Sequence, residues 1–306
     1  MPKRLISCVS SELISMDKHA LLAAISASEG RTIACETIGA VQPMLIDVTN
    51  AEFAASQGAD LILLNLFDFD RPQINGLPPV APEETVRELK RLTGRPIGVN
   101  LEPTVPGQNP DDPLWEMTAG RCATVENARR AADMGVDFIL LTGNPGTGVR
   151  NDAILSTLRA LRAAVGDRVI LAAGKMHASG IPSEAGERII TAADVRAFIE
   201  AGADLILLPA PGTVPGITTE YVRSLVVLAH ELGALTMTSI GTSQEGADVD
   251  TIRRIALECK MTGTDIHHLG DAGYAGMALP ENIFAYSVAV RGVRHTYRRM
   301  AASIRR

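Results

Sequence analysis

Lys175 stands apart from the other lysines of this chain. Lys3, Lys18, Lys90 and Lys260 fall in the N-terminal segment or in expected helices, where solvated ammonium groups are ordinary. Lys175 instead follows Leu171-Ala172-Ala173-Gly174, directly beyond a run that reads as a buried strand. There it could hold an anionic substrate, stabilise an enolate oxygen, or form a Schiff base if burial lowers its pKa. His177 lies two residues on and would share that pocket. Glu36 and Glu102 close two other apolar runs and suit general acid–base work. His268 ends a further run and completes the candidate catalytic set.

Around these, Asn65, Asn100, Thr142, Asn144 and Ser239 occupy the ends of apolar segments and would orient substrate hydroxyls. Gly241, Thr242, Gly270, Asp271 and Gly273 belong to glycine-rich loops whose backbone amides can cradle phosphate. Arg71, Arg121, Arg150 and Lys175 are the cations best placed to assist, while Glu245 and Asp271 would repel a dianion. Glu36, Glu102, His177, His268 and Asp271 leave room for a divalent metal. None of them forms a local ligand signature such as HxxxH, so the cofactor stays open.

The elements that must position these residues follow from a phrase that occurs four times. It reads Gly58-Ala59-Asp60-Leu61-Ile62-Leu63-Leu64, Gly135-Val136-Asp137-Phe138-Ile139-Leu140-Leu141, Gly202-Ala203-Asp204-Leu205-Ile206-Leu207-Leu208 and Gly263-Thr264-Asp265-Ile266-His267-His268-Leu269. Each copy reads as a helix-stopping glycine followed by a buried strand. The intervals hold one further strand and two helices, so four double units make a (β/α)8 TIM barrel. In the fourth copy, two histidines replace Ile-Leu. By strand parity His268 faces the barrel mouth with Asn65 and Thr142, whereas His267 faces the helices.

Eight strands are expected at 31–36, 60–65, 96–102, 137–142, 168–173, 204–209, 234–239 and 265–269. Helices are expected over 16–30, 43–56, 83–92, 152–165, 220–232, 248–261 and 281–304, with others starting near Thr124 and Thr191. Asn151 and Thr191 read as caps, and Thr191 pairs with Asp194 as a variant capping box. The long stretch 105–118, which carries Trp115, reads as a lid or binding loop. Arg291, Arg294, Arg298 and Arg299 read as a solvated cationic face near the end of the closing helix.

Composition fits one domain. At 306 residues and 46% hydrophobic, the chain suits one barrel of about 250 residues (31–306) behind a short N-terminal helical extension (1–30). A net charge of −6 and only 4% aromatic residues argue against nucleic acid as a partner. Scattered Cys8, Cys35, Cys122 and Cys259 read as cytosolic thiols. No apolar stretch approaches spanning length. The expectation is a cytoplasmic homo-oligomer that binds a small anionic molecule and does not insert into membranes.

The repeated Gly-Ala-Asp strands and late glycine loops resemble the phosphate-binding group of (β/α)8 barrels. Pro96-Ile97-Gly98-Val99-Asn100-Leu101, following the Gly58–Asn65 phrase, is similar to the BtpA-type family across the second and third units. A phosphoenolpyruvate phosphonomutase-like enzyme would carry Lys-Cys-Gly-His, but this chain has Gly174-Lys175-Met176-His177. The resemblance therefore does not imply that family's metal-dependent mechanism. The expected function is an aldolase- or epimerase-like lyase or isomerase for a small polar carbonyl compound, a sugar phosphate or oxoacid. The alternatives are a noncatalytic metabolite-binding or regulatory barrel, and a hydrolase using Glu36 and Glu102 as paired carboxylates.

Overall fold

The computed structural model describes residues 2–107 and 114–306. Among the described residues, eight parallel strands close into a barrel in chain order. They are β1 (Thr32–Ile38), β2 (Leu61–Asn65), β3 (Ile97–Leu101), β4 (Phe138–Leu141), β5 (Ile170–Gly174), β6 (Leu205–Pro209), β7 (Leu235–Ile240) and β8 (Ile266–Leu269). Helices α1 (Ser10–Ile14) and α2 (Lys18–Ser26) precede the barrel. The outer layer is α3 (Asn50–Ser56), α4 (Thr85–Thr93), α5 (Val125–Asp133), α6 (Asn151–Val165), α7 (Ala192–Glu200), α8 (Thr219–Glu231), α9 (Val249–Thr262) and α10 (Pro280–Ala301). The (β/α)8 expectation is met.

Each repeated aspartate does the same mechanical job. Its carboxylate accepts the backbone N–H of the preceding strand: Asp60 from Ile33 at 2.9 Å, Asp137 from Ile97 at 2.8 Å, Asp204 from Leu171 at 2.9 Å and Asp265 from Thr236 at 2.8 Å. A basic side chain then backs each carboxylate. Arg291 and Arg299 hold Asp60, Lys90 holds Asp137, Lys18 holds Asp204, and His230 reaches Asp265. The repeated glycines all take positive φ, from +87° at Gly263 to +113° at Gly58, the backbone sense that ends each helix. Helix stop and strand clamp thus sit two residues apart.

Strand parity sorts the core into two regions. Leu61, Leu63, Phe138, Leu140, Leu205, Leu207, Met237 and Ile266 fill the barrel interior, and Leu5, Leu13, Leu21 and Ile25 of the N-terminal extension pack beneath them. The alternate residues, including Ile62, Ile139, Ile206 and Leu269, pack against the helices. Gly98 is needed in this interior, because a Cβ there would lie 2.1 Å from the Phe138 ring. Apolar side chains close the lower barrel and leave its upper end to polar groups.

Several local expectations change. The Thr49–Glu52 capping box delays α3 to Asn50, so residues 43–49 are turn and not helix. Arg150, not Asn151, precedes α6, and the Asn151 amide instead donates to Ile189 O at 3.2 Å. The Thr191–Asp194 box forms as expected. Of the 105–118 loop, residues 108–113 lie outside the described residues. Lys18 is buried and not solvated, because its ammonium serves the Asp204 clamp at 2.6 Å.

The closing arginines also divide. Arg294 and Arg298 are exposed, but Arg291 and Arg299 are buried on Asp60 at 2.5 and 2.6 Å. Burial opposes the Asp60 charge, yet the two guanidinium groups and the Ile33 N–H outweigh it and hold the carboxyl below its ordinary range. Asp60→Ala strands two buried cations, an expected loss of ~3–5 kcal/mol in urea unfolding. Because the folded pKa is depressed, this contribution is full at neutral pH and fades as pH falls below about 4. A loss of under about 1 kcal/mol, typical of surface pairs, would contradict the clamp.

Candidate functional site

The upper barrel opens into a cavity of about 150 Å³, suited to a compact metabolite. Its lining draws on seven of the eight strand ends, all but β6: Glu36 from β1, Asn65 from β2, Asn100 from β3, and Thr142 with Asn144 after β4. His177 follows β5, Gly241, Thr242 and Glu245 follow β7, and Gly270, Asp271 and Gly273 follow β8. Trp115 also reaches the cavity from the long loop after β3.

Asn65 is the centre of the polar floor. Its Nδ2 donates to Asp271 Oδ2 at 2.7 Å and to Asn144 Oδ1 at 2.9 Å. Its Oδ1 accepts from Leu66 N, Asn100 Nδ2 and Asn144 Nδ2 at 2.9–3.1 Å. Asp271 accepts Gly273 N–H at 2.8 Å, and burial raises its pKa despite these bonds. Paired on several sides, these side chains form a fixed floor.

Glu102 supports this floor from outside the lining. It takes Arg121 at 2.7 Å, Asn144 Nδ2 at 2.8 Å and Asn144 N at 3.0 Å. The expected acid–base role for Glu102 therefore gives way to positioning of Asn144. The paired-carboxylate hydrolase loses its second carboxylate in the same step. Arg121 is consumed in this pair, and Arg71 and Arg150 are exposed away from the cavity.

Lys175 moves furthest from expectation. It shares the parity of Leu171 and Ala173, which face the helix layer, whereas Met176 belongs to the interior. Its ammonium is buried on Glu184 at 2.5 Å and does not line the cavity. His177 does line it. His177 Nδ1 accepts Ser179 N–H at 3.0 Å, so the neutral ring carries its proton on Nε2. Burial first, then the Lys175 charge, lower its pKa to about 4.

The two histidines of the fourth repeat separate as parity requires. His267 is saturated within the helix layer, with Nδ1 on Tyr286 OH at 3.1 Å and Nε2 on Gly30 O at 3.0 Å. His268 replaces the leucine that Leu63, Leu140 and Leu207 supply in the other copies. That apolar layer lowers its pKa to about 3. Its Nδ1 meets Ser239 Oγ at 2.6 Å, while Nε2 has no hydrogen-bond partner within the protein. Glu36 Oε2 lies 3.8 Å from that bare nitrogen.

Glu36 is the point where these layers meet. It is 5% exposed, and burial, followed by the charges of Asp271, Glu245 and Glu102, raises its pKa well above the ordinary carboxylate range. The carboxyl can therefore hold a proton where most glutamates have lost it. Glu245, named from sequence only as a complication, is a full lining residue; its place in the glycine loop after β7 was the available signal. Among the described residues, no three His, Cys, Asp or Glu side chains converge to hold a metal ion.

A family model described as "Domain of unknown function (DUF7916)" matches residues 6–306. The chain belongs to that family. This description differs from the BtpA-type resemblance drawn from the second and third units. The chain is 32% identical over 182 residues to imidazole glycerol phosphate synthase subunit HisF of Nocardia farcinica (strain IFM 10152), covering 56% of this chain and 61% of that protein. A putative fructose-1,6-biphosphate aldolase from Coccidioides immitis matches with a TM-score of 0.52 and 16% identity, over 94% of this chain and 98% of the other. A 2,3-dimethylmalate lyase of the PEP mutase/isocitrate lyase superfamily matches at 0.51 and 14%, over 84% and 82%. At such identities the likeness of the two solved structures shows the barrel fold alone. No helix among the described residues is long and apolar enough to cross a membrane.

The raised Glu36 pKa has a definite sign in stability. A carboxyl held protonated by the fold loses stability as pH rises from about 4.3, its unfolded value, towards its folded pKa. Glu36→Gln removes that loss. Thermal unfolding should place the two proteins close together near pH 4 and the variant higher at pH 8. A variant less stable at pH 8 would show that Glu36 is held as a carboxylate.

Proposed function

We propose that the cavity is an acid–base site and that the protein is a lyase or isomerase for a small polar carbonyl compound. The observation that carries this reading is the buried Glu36 carboxyl over the unpartnered His268 Nε2, 3.8 Å away. Catalytic acids and bases work best with pKa values near the working pH, and a raised glutamate meets that condition. Glu36 moves a proton to or from the carbon next to the carbonyl. His268 behind it stays neutral and gives the Glu36 carboxyl an uncharged neighbour, with Ser239 fixing the ring. His177 offers Nε2–H to the carbonyl oxygen as a neutral donor, and Asn65, Asn100 and Asn144 form the polar surface under the substrate.

Lys175 has no part in this scheme. A Schiff base would require its ammonium to leave Glu184 and cross to the cavity. The sugar-phosphate and oxoacid narrowing also lacks support, because no arginine or lysine lines the cavity among the described residues. The relatives' substrates do not fill that gap, since the match to the synthase subunit spans 61% of its length.

Solvent-deuterium exchange into a panel of small hydroxyaldehydes and hydroxyketones tests the reading. Turnover or exchange should fall ~10²–10⁴-fold in Glu36→Gln, and His268→Ala should also be impaired. Full exchange in the folded Glu36→Gln protein would refute the proton-transfer role. In parallel, borohydride with an active carbonyl compound should trap no adduct at Lys175. A modified Lys175 peptide in the mass spectrum would restore the Schiff-base route.

A further inference from the structure

The loops after β7 and β8 are where barrels commonly bind phosphate, yet here they are already supplied with anions from within the chain. The Glu245 carboxyl sits near the backbone amides of Ser243, Glu245 and Ala272, and burial still raises its pKa against their pull. The next amide along, Gly273 N–H, is taken by Asp271 Oδ1 at 2.8 Å. An incoming phosphate would find the Gly273 amide engaged and two acidic side chains in its path. Glu36 adds a third carboxyl to the same lining.

The groups left without partners point to a different ligand. Glu245 is 4% exposed and its Oε2 has no hydrogen-bond partner within the protein. Asn100, 4% exposed, has an unpartnered Oδ1, and the Thr142 hydroxyl is also free. Asn100 Oδ1 can only accept, as can Glu245 Oε2 when its carboxyl is ionised, and all three residues line one cavity. Buried acceptors of this kind call for a donor, and clustered carboxyls favour a donor with positive charge.

We propose that the cavity binds its ligand through an amino group, received as an ammonium by Glu245 Oε2, with Asn100 Oδ1 a further acceptor in the same lining. The substrate class is then an amino-bearing polar carbonyl compound and not a sugar phosphate. This deepens the acid–base reading of the same cavity: the amino group anchors the substrate beside Glu245 while Glu36 works on the carbon next to its carbonyl.

Ethanolamine, ethylene glycol, inorganic phosphate and Mg²⁺ are the probes, each titrated into the full chain and followed by backbone NMR. Ethanolamine should give saturable shifts over 241–246 and 270–273, and Glu245→Gln should weaken it about tenfold or more. Ethylene glycol, the uncharged match, should bind much less tightly to the wild type, a comparison that does not depend on the variant folding. Phosphate should leave these loops unmoved. The proposal is overturned by phosphate shifting the same amides, by ethylene glycol matching ethanolamine, by Mg²⁺ acting there when ethanolamine does not, by no probe binding there, or by undiminished binding to folded Glu245→Gln. Loss of ethanolamine binding with intact Glu36-dependent exchange defeats the amino anchor alone. Binding without any Glu36-dependent exchange defeats the catalytic reading alone.

Discussion

A carboxylate at the foot of every second strand fixes the register of this barrel. Asp60, Asp137, Asp204 and Asp265 each receive the N–H of the strand before them, and each is backed by a basic side chain. Register matters here because strand side chains alternate, so a one-residue slip would turn every inward group towards the helices. Asn65 and Thr142 owe their places in the mouth, and His268 its place beneath it, to clamps at the opposite end of their strands. The clamp for β2 is the most deeply buried, and it reaches through Arg291 and Arg299 into the last helix. Chain closure and site geometry are therefore linked through Asp60.

The barrel interior changes character along its axis. Leucine, phenylalanine and methionine close its lower layers, His268 takes the position that Leu63, Leu140 and Leu207 hold in the other copies, and carboxyl and amide groups finish the mouth. This gradient sets the protonation states. A histidine surrounded by apolar side chains stays neutral, and a glutamate buried beside other carboxyls keeps its proton. The mouth thus combines rigid groups, paired through Asn65 and Glu102, with atoms left unpaired at Glu245, Asn100 and His268. Fixed positions and unspent hydrogen-bonding capacity are what a binding site requires.

The architecture was legible because the Gly-x-Asp phrase repeats, and its alignment also separated His267 from His268. The carboxylate's mechanical role was not legible, since its partner N–H belongs to a strand 27 to 40 residues away in sequence. Lys175 was misplaced for a related reason. Its position after a strand was evident, but Gly174, with φ +152°, and a buried partner at Glu184 decide where the ammonium goes. Glu102 likewise looked catalytic until Arg121, brought back by the loop after β3, claimed it. Buried arginines on α10 resembled a solvated face because helical spacing alone does not reveal a carboxylate waiting beneath.

The proposed chemistry depends on one proton, held by Glu36 beside the unpartnered Nε2 of His268. The most direct measurement is a ¹³C NMR titration of the Glu36 side-chain carboxyl in the intact protein, assigned with Glu36→Gln. A midpoint well above the ordinary carboxylate range, falling when Asp271→Asn removes a neighbouring charge, is the predicted result. A midpoint near about 4.3, the value of a free glutamate, would contradict it.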